Sequence, residues 1–105
     1  MTTNELIADM TARIARDFHP LRIILFGSHA RGDAMPDSDI DLLVVLSEAP
    51  NKRLAAIEIR RALRDLPVSK DIVVTTPDEI DRRGDLIGPV LRPALREGKV
   101  LYERN

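Results

Sequence analysis

The chain has 105 residues, of which 44% are hydrophobic and 31% charged, a balance typical of a single globular domain over residues 1–105. The net charge of −1 and the aromatic content of 3% argue against a direct nucleic-acid binder, which needs basic surface and aromatic side chains that stack on bases. The lack of cysteine in the sequence excludes disulfides, thiolate catalysis and cysteine-based zinc sites.

The first predicted element is a helix. The segment TTNELIADMTARIARDF carries apolar residues at helical spacing, Thr2 and Glu5 fit a capping box, and Pro20 ends the helix. The opening MTTNELIADM lacks the basic and apolar segments of a signal peptide, and no apolar run in the sequence reaches the length of a membrane span. We therefore expect a cytoplasmic protein that does not bind membranes.

A short strand and a turn follow this helix. LRIILF predicts a buried strand that ends at Gly27, and the next residues predict a helical turn from Ser28 to about Gly32. GDAMPDS is typical of a loop, in which we interpret Asp33 and Asp37 as turn residues. DIDLLVVL then predicts a second strand.

Two carboxylates stand at the start of this second strand. Asp39 and Asp41 lie on one face, where Leu43 and Val45 continue as apolar residues. Alternating charges often mark only the solvated face of an antiparallel sheet, and the residues alone leave that explanation open. The other explanation is that a ligand at the start of the strand needs both charges.

The next helix and strand bring a third acid. NKRLAAIEIRRALRDL predicts an amphipathic helix capped by Asn51, and KDIVVTT predicts a third strand that carries Asp71 at its start. The residues that we expect to be buried on this helix are Leu54, Ile57, Ala62 and Leu66.

The remaining elements complete the predicted fold. TPDEI has the capping signals of a helix that starts after Thr76, and DLIGPVLRPALREG predicts a helix that breaks near Gly88 and restarts at Pro89. KVLYE predicts a short edge strand. The alternation of helices and strands predicts an α/β (α+β) fold, with a small mixed sheet and flanking helices.

The three acids indicate a metal site if the second and third strands are neighbours. Asp39, Asp41 and Asp71 would then converge, and divalent cations relieve the repulsion between carboxylates. Mg²⁺ favours carboxylates together with substrate phosphates, the arrangement used in phosphoryl and nucleotidyl transfer. Gly27 and Ser28 fit the phosphate, because glycine allows close approach of the backbone and a helix start offers free N–H groups.

Several charged side chains near these residues have more than one possible role. Arg31 could bind a phosphate of the nucleotide, or it could pair with an acid of the loop. We expect His29 to be solvated. We expect the same of Lys70, whose alternative roles are to offset the charge of the acids or to contact a phosphate. The second long helix also has a basic face, which is either simply solvated or a docking surface for an acidic partner; it consists of Arg60, Arg61 and Arg64.

FGSHARGDAMPDSDIDLLV resembles the signature of the DNA polymerase beta-type nucleotidyltransferase superfamily, in which Gly-Ser precedes a spaced Asp-x-Asp on the next strand. Its form is similar to that of the minimal nucleotidyltransferases (MNT) of bacteria and archaea. The third acidic strand and ALREGKVLYE extend the similarity over nearly the whole chain. The resemblance implies a polymerase beta-like fold and an enzyme that uses ATP and two Mg²⁺ ions.

The resemblance also implies a role for each site residue. Gly27 and Ser28 would hold the triphosphate of the incoming nucleotide. Asp39 and Asp41 would coordinate the two Mg²⁺ ions. Asp71 would ligate the catalytic ion and help to deprotonate the acceptor hydroxyl.

The implied partner is a HEPN-domain toxin, and the implied reaction transfers AMP from ATP to a tyrosine of that toxin, which silences it. Two alternatives stay open on the sequence. The chain could be an antitoxin that neutralises its partner by binding alone, or a nucleotidyltransferase that acts on a small molecule or an RNA end. The composition argues against the last of these, since aromatic residues are scarce.

Overall fold

The computed structural model describes residues 1–83 and 96–104, in which helices and strands alternate. None of the helices in these ranges is long and apolar enough to cross a membrane. The predicted break near Gly88 and restart at Pro89 lie outside the described residues. The elements are α1 (Thr3–Phe18), β1 (Arg22–Phe26), α2 (Ser28–Arg31), β2 (Ile40–Val45), α3 (Lys52–Ala62), β3 (Lys70–Thr75), α4 (Pro77–Arg83) and β4 (Lys99–Glu103).

The strands of the described residues form one mixed sheet in the order β3-β2-β1-β4. β1 pairs antiparallel with both β2 and β4, whereas β2 and β3 run parallel. Parallel neighbours need a crossover connection, and α3 provides it between β2 and β3. The prediction of a small mixed sheet with flanking helices is confirmed, and β4 occupies the predicted edge position.

Both faces of the sheet are covered by apolar packing. On one face, Ile40, Leu42 and Val44 of β2 pack with buried residues of α1 and α3. On the other face, a smaller cluster contains Leu43 and Val45. The face that carries the acids is therefore not a solvated sheet face, because β2 is buried on both sides beyond its first two residues.

Helix α3 contacts the sheet through a different stripe from the predicted one. Ile59 and the following Leu63 are fully buried, whereas Leu54 is 50% and Ile57 40% exposed. The apolar residues of α3 are spread over most of its circumference, so their spacing alone allows more than one buried face. In the structure, the side of the helix that carries Ile59 and leads to Leu63 packs against the sheet. Leu66 is buried as predicted.

Local signals set the helix ends. The Thr2 hydroxyl accepts from the Glu5 N–H at 3.1 Å and the Glu5 carboxylate accepts from the Thr2 N–H at 2.9 Å, so the capping box is confirmed. The Asn51 side chain accepts from the N–H of the third residue of α3 at 3.0 Å, also as predicted. His19 ends α1 in the left-handed conformation, with φ of 50°, directly before Pro20.

An arginine of α1 ties this helix to the turn after α3. The Arg13 guanidinium donates to both carboxylate oxygens of Asp65, at 2.6 and 3.2 Å, and to the Ala62 carbonyl at 3.2 Å. These hydrogen bonds lower the pKa of Asp65. The bidentate geometry fixes the end of α3 relative to α1.

Candidate active site

The strand register brings the predicted acids to one edge of the sheet. Asp41 is the second residue of β2 and lies opposite Asp71, the second residue of the parallel strand β3. Asp39 directly precedes β2, on the same side of the chain as Asp41. β2 and β3 are neighbours, which meets the condition on which the metal-site hypothesis depends, and their parallel direction aligns the starts of both strands.

The charges of these acids act on each other. Burial raises the pKa of the half-buried Asp41, and the negative charges of Asp71 and Asp39 raise it further. The nearby side chains of His29 and Arg31 oppose this increase in the pKa of Asp41. The edge therefore holds carboxylates that repel one another, an arrangement that a bound cation stabilises.

Gly27 packs its backbone directly against one of these carboxylates. Its φ of 74° and ψ of −156° lie in a region that is essentially restricted to glycine. A Cβ on Gly27 would overlap the Oδ2 atom of Asp41 and lie 3.1 Å from the Asp41 Cγ. The turn that the sequence predicts as a phosphate holder is thus in contact with the predicted metal ligand.

Ser28 begins the predicted helical turn. The N–H groups of Ala30 and Arg31 both donate to the Gly27 carbonyl at 3.1 Å, and that of Gly32 donates to the Ser28 carbonyl at 3.0 Å. The first N–H groups of a helix have no acceptor inside it, so those of this turn can bind a ligand. This confirms the predicted turn and leaves its phosphate-binding role as a proposal.

The loop before β2 is tied to this turn. His29 Nε2 donates to the Ser38 carbonyl at 3.2 Å, so His29 is half-buried and bonded, and the prediction of a solvated side chain is wrong. Arg31 donates from Nε to Asp33 Oδ2 at 3.3 Å, which is one of its two predicted roles. These contacts connect the Gly-Ser turn to the residues that precede Asp39.

A contact between α3 and the third acid was not predicted from the sequence. Arg60 Nη2 lies 3.2 Å from Asp71 Oδ1, and the two side chains are 54% and 52% exposed. The available signal was the position of a basic residue in the last turn of the helix that leads into β3. Its partner could not be deduced, because the pair depends on how α3 crosses β3.

Lys70 also differs from its prediction. Its Nζ donates to the Leu66 carbonyl at 3.3 Å and to the Val68 carbonyl at 2.9 Å. The half-buried side chain therefore holds the turn between α3 and β3 and is not simply solvated. This turn borders an open depression of about 480 Å³, which is lined by Asp39, Arg60, Arg64, Val68, Ser69 and Lys70.

The acids fit a magnesium site that is completed by substrate. In the described residues, no group of three or more histidine or acidic side chains is gathered closely enough to hold a metal ion alone. Mg²⁺ is usually bound by one or two carboxylates plus phosphate oxygens and waters. Asp39 and Asp41 match that requirement, while Asp71 is held by Arg60.

The chain belongs to the nucleotidyltransferase domain family, which it matches over residues 9–101. It is 31% identical, over 93 residues, to a Methanocaldococcus jannaschii protein named "Putative protein adenylyltransferase". That match covers 81% of this chain, which spans 60% of the length of the relative.

Solved structures agree with this assignment. One, named "Structure of putative minimal nucleotidyltransferase", is 30% identical with a TM-score of 0.63, over 94% of this chain and 95% of that one. A toxin-antitoxin structure with AMP-PNP has a TM-score of 0.67 at 23% identity, over 93% and 74% of the chains. An MNT antitoxin complex with the tri-AMPylated HEPN toxin of Shewanella oneidensis has a TM-score of 0.60 at 23% identity, over 97% and 74%.

The family model and the fold together place the chain in the nucleotidyltransferase domain family. The polymerase beta-like fold predicted from the Gly-Ser and Asp-x-Asp signature is confirmed by the minimal nucleotidyltransferase structure. The assignment also fits the site, since a helical turn that offers backbone N–H groups and a pair of carboxylates are groups that nucleotidyl transfer can use.

Proposed function

We propose that this chain is a Mg²⁺-dependent protein adenylyltransferase that transfers AMP from ATP to a tyrosine hydroxyl of a HEPN-type toxin and thereby acts as its antitoxin. The observation that carries the proposal is the contact of Gly27 with the Asp41 carboxylate, beside Asp71 in register. It brings the Gly27 backbone and the carboxylates of Asp41 and Asp71 to one edge of the sheet. In the proposal, these groups bind a phosphate, bind the metal and accept a proton, in that order.

The proposed roles follow from these positions. In this proposal, the turn at Gly27 and Ser28 binds the triphosphate. Arg31 lies close enough to the site for its positive charge to lower the pKa of Asp41. Asp39 and Asp41 would hold two Mg²⁺ ions, and Asp71 would be a further ligand of the catalytic one. The ions would neutralise the charge that grows on the attacking and leaving oxygens. The acceptor in this proposal comes from a separate protein.

The proposed step is an in-line displacement. The acceptor hydroxyl oxygen forms a bond to the α-phosphorus, the bond from that phosphorus to the bridging oxygen breaks, and pyrophosphate leaves. Asp71 accepts the proton of the hydroxyl. Asp71 suits this role because it is exposed at the edge of the site, where an acceptor side chain can reach it.

The relatives support the choice of acceptor. The Methanocaldococcus jannaschii relative is named a putative protein adenylyltransferase, and the Shewanella oneidensis complex contains an AMPylated HEPN toxin. The AMP-PNP complex supports an adenine nucleotide as the donor.

The test is transfer of label from ATP marked at the α-phosphate. Purified protein, Mg²⁺ and a HEPN protein are incubated together, and label on the HEPN protein is measured. We expect label with the wild type and none with Asp41→Asn. The matched control is Asp37→Asn, which removes the same charge from an exposed loop position and should transfer at the wild-type rate.

Two results would contradict the proposal. A stable complex without label on either protein would favour neutralisation by contact alone. Neutralisation of the toxin that survives the combined Asp39→Asn and Asp41→Asn changes would do the same, because those changes remove the proposed metal ligands.

A further inference from the structure

The geometry points to Arg60 as a positioning residue that holds Asp71 and competes with the divalent cation for it. This inference rests on the proposed function. It adds that the positive charge of Arg60 regulates how readily Asp71 binds the cation. Without a cation, the guanidinium is the counter-ion of Asp71. With one, Asp71 turns from Arg60 toward the metal and the acceptor.

The ion pair between Arg60 and Asp71 is weak enough for a cation to replace Arg60. Arg60 Nη2 and Asp71 Oδ1 are 3.2 Å apart, and about half of each side chain is exposed to solvent. Exposed ion pairs contribute little because water screens them and long side chains lose freedom in forming them. A divalent cation with substrate phosphates can therefore displace Arg60, whereas a buried pair would keep Asp71 out of use.

The neighbouring acids explain why a counter-ion is placed there. Asp71 lies opposite Asp41 across the parallel strands, and its negative charge contributes to the raised pKa of Asp41. Arg60 offsets part of that negative charge from the side of α3. The single contact to Oδ1 leaves the other oxygen of Asp71 without a partner among the described side chains.

The chain offers a matched control in Arg64. It lies in the turn after α3, four residues beyond Arg60, and lines the same open depression beside Asp39. Within the described ranges, Arg64 has no side-chain ion pair with a carboxylate. A change at Arg64 thus removes a nearby positive charge without touching Asp71, which separates direct competition from the general electrostatic field.

The experiment measures binding of Mn²⁺, used as a probe for Mg²⁺, from the electron paramagnetic resonance signal of the free ion. The full chain is titrated as wild type, Arg60→Gln, Arg60→Lys and Arg64→Gln. We expect Arg60→Gln to lower the half-saturating Mn²⁺ concentration about two- to fivefold, the range set by an exposed ion pair. Arg64→Gln should change it by clearly less, and Arg60→Lys should stay near the wild type.

Kinetics with Mg²⁺ provide the second measurement. Arg60→Gln should lower the Mg²⁺ concentration that gives half-maximal AMP transfer, and Arg64→Gln should change that concentration by clearly less. The inference would be overturned by equal effects of Arg60→Gln and Arg64→Gln on Mn²⁺ binding. It would also be overturned if Arg60→Gln bound Mn²⁺ more weakly than the wild type, or if neither the wild type nor Arg60→Gln bound Mn²⁺.

The two proposals fail in different ways. If label is transferred but both glutamine variants respond alike to Mn²⁺, the competition is wrong and adenylyl transfer stands. If Arg60→Gln binds Mn²⁺ more tightly and no label is transferred, Arg60 competes with the cation as inferred and the proposed reaction is wrong.

Discussion

Replacement of Gly27 by alanine tests the contact on which the site depends. The added Cβ would overlap Asp41 Oδ2, and the backbone of Gly27 has a φ of 74° with a ψ of −156°. A residue with a side chain is strained in that region by about 1–3 kcal/mol. The Asp41 carboxylate is a side-chain end and can move aside, so we expect the fold to survive with the carboxylate displaced.

Gly32→Ala supplies the control for strain alone. Gly32 also has a positive φ, of 84°, but its added Cβ would meet no heavy atom within 4 Å. Left-handed strain at such a position costs about 1–2 kcal/mol. For a domain of this size, each kcal/mol corresponds to a fall in Tm of about 4–8 °C. The two variants should therefore have similar melting temperatures.

The assay compares thermal unfolding in EDTA with transfer of α-phosphate label, measured below the Tm of both variants. We expect Gly27→Ala to lose AMP transfer, because Asp41 and the phosphate-binding backbone no longer fit together. Gly32→Ala should retain transfer despite similar destabilisation. Equal transfer by the two variants would refute the idea that the close approach of Gly27 to Asp41 is needed for activity.

Three further predictions concern stability. Burial and neighbouring carboxylates raise the folded-state pKa of Asp41, so its ionisation destabilises the fold above the unfolded pKa of about 3.9. Asp41→Asn should then raise the Tm at pH 7 in EDTA but not at pH 3, and an equal or lower Tm at pH 7 would contradict this. Leu63→Ala should lower the free energy of unfolding by about 2–5 kcal/mol because Leu63 is fully buried, and Leu54→Ala by less than about 0.5 kcal/mol, both measured by urea denaturation. Arg13 lowers the folded-state pKa of Asp65, so that stabilisation is present above the unfolded pKa and is lost as the pH falls through the folded one. Asp65→Asn should therefore show a smaller fall in Tm between pH 7 and pH 3 than the wild type, and an equal fall would count against the pair.

The elements that the sequence predicted correctly carry signals within a few residues of each other. Thr2 and Glu5 satisfy the first N–H groups of α1 from three residues apart, and Asn51 does so for α3. The apolar runs of β1, β2 and β3 are bounded by turn residues, which fixes where each strand can start. Such signals act between near neighbours in the chain, so they need no knowledge of the rest of the fold.

The wrong predictions involve contacts between distant or alternative surfaces. Leu54 and Ile57 were expected in the core, yet α3 has enough apolar residues for two faces, and the sheet selected the one with Ile59. The sequence predicts solvated side chains for His29 and Lys70, yet both donate hydrogen bonds to backbone carbonyls. The acceptor for His29 is in the loop before β2, and those for Lys70 are in the turn before β3. Buried or half-buried polar groups take whatever acceptors the tertiary structure brings to them.

The sequence by itself determined which chemical groups the site contains and where each stands along its own strand. Gly-Ser after β1, an acid pair at the start of β2 and an acid at the start of β3 are local facts of the chain. The tertiary structure alone decided that Asp41 faces Asp71, that Gly27 touches Asp41, and that Arg60 holds Asp71. The physical reason is that pairing between strands and the crossing of α3 depend on burial of the shared apolar core, which involves residues far apart in sequence.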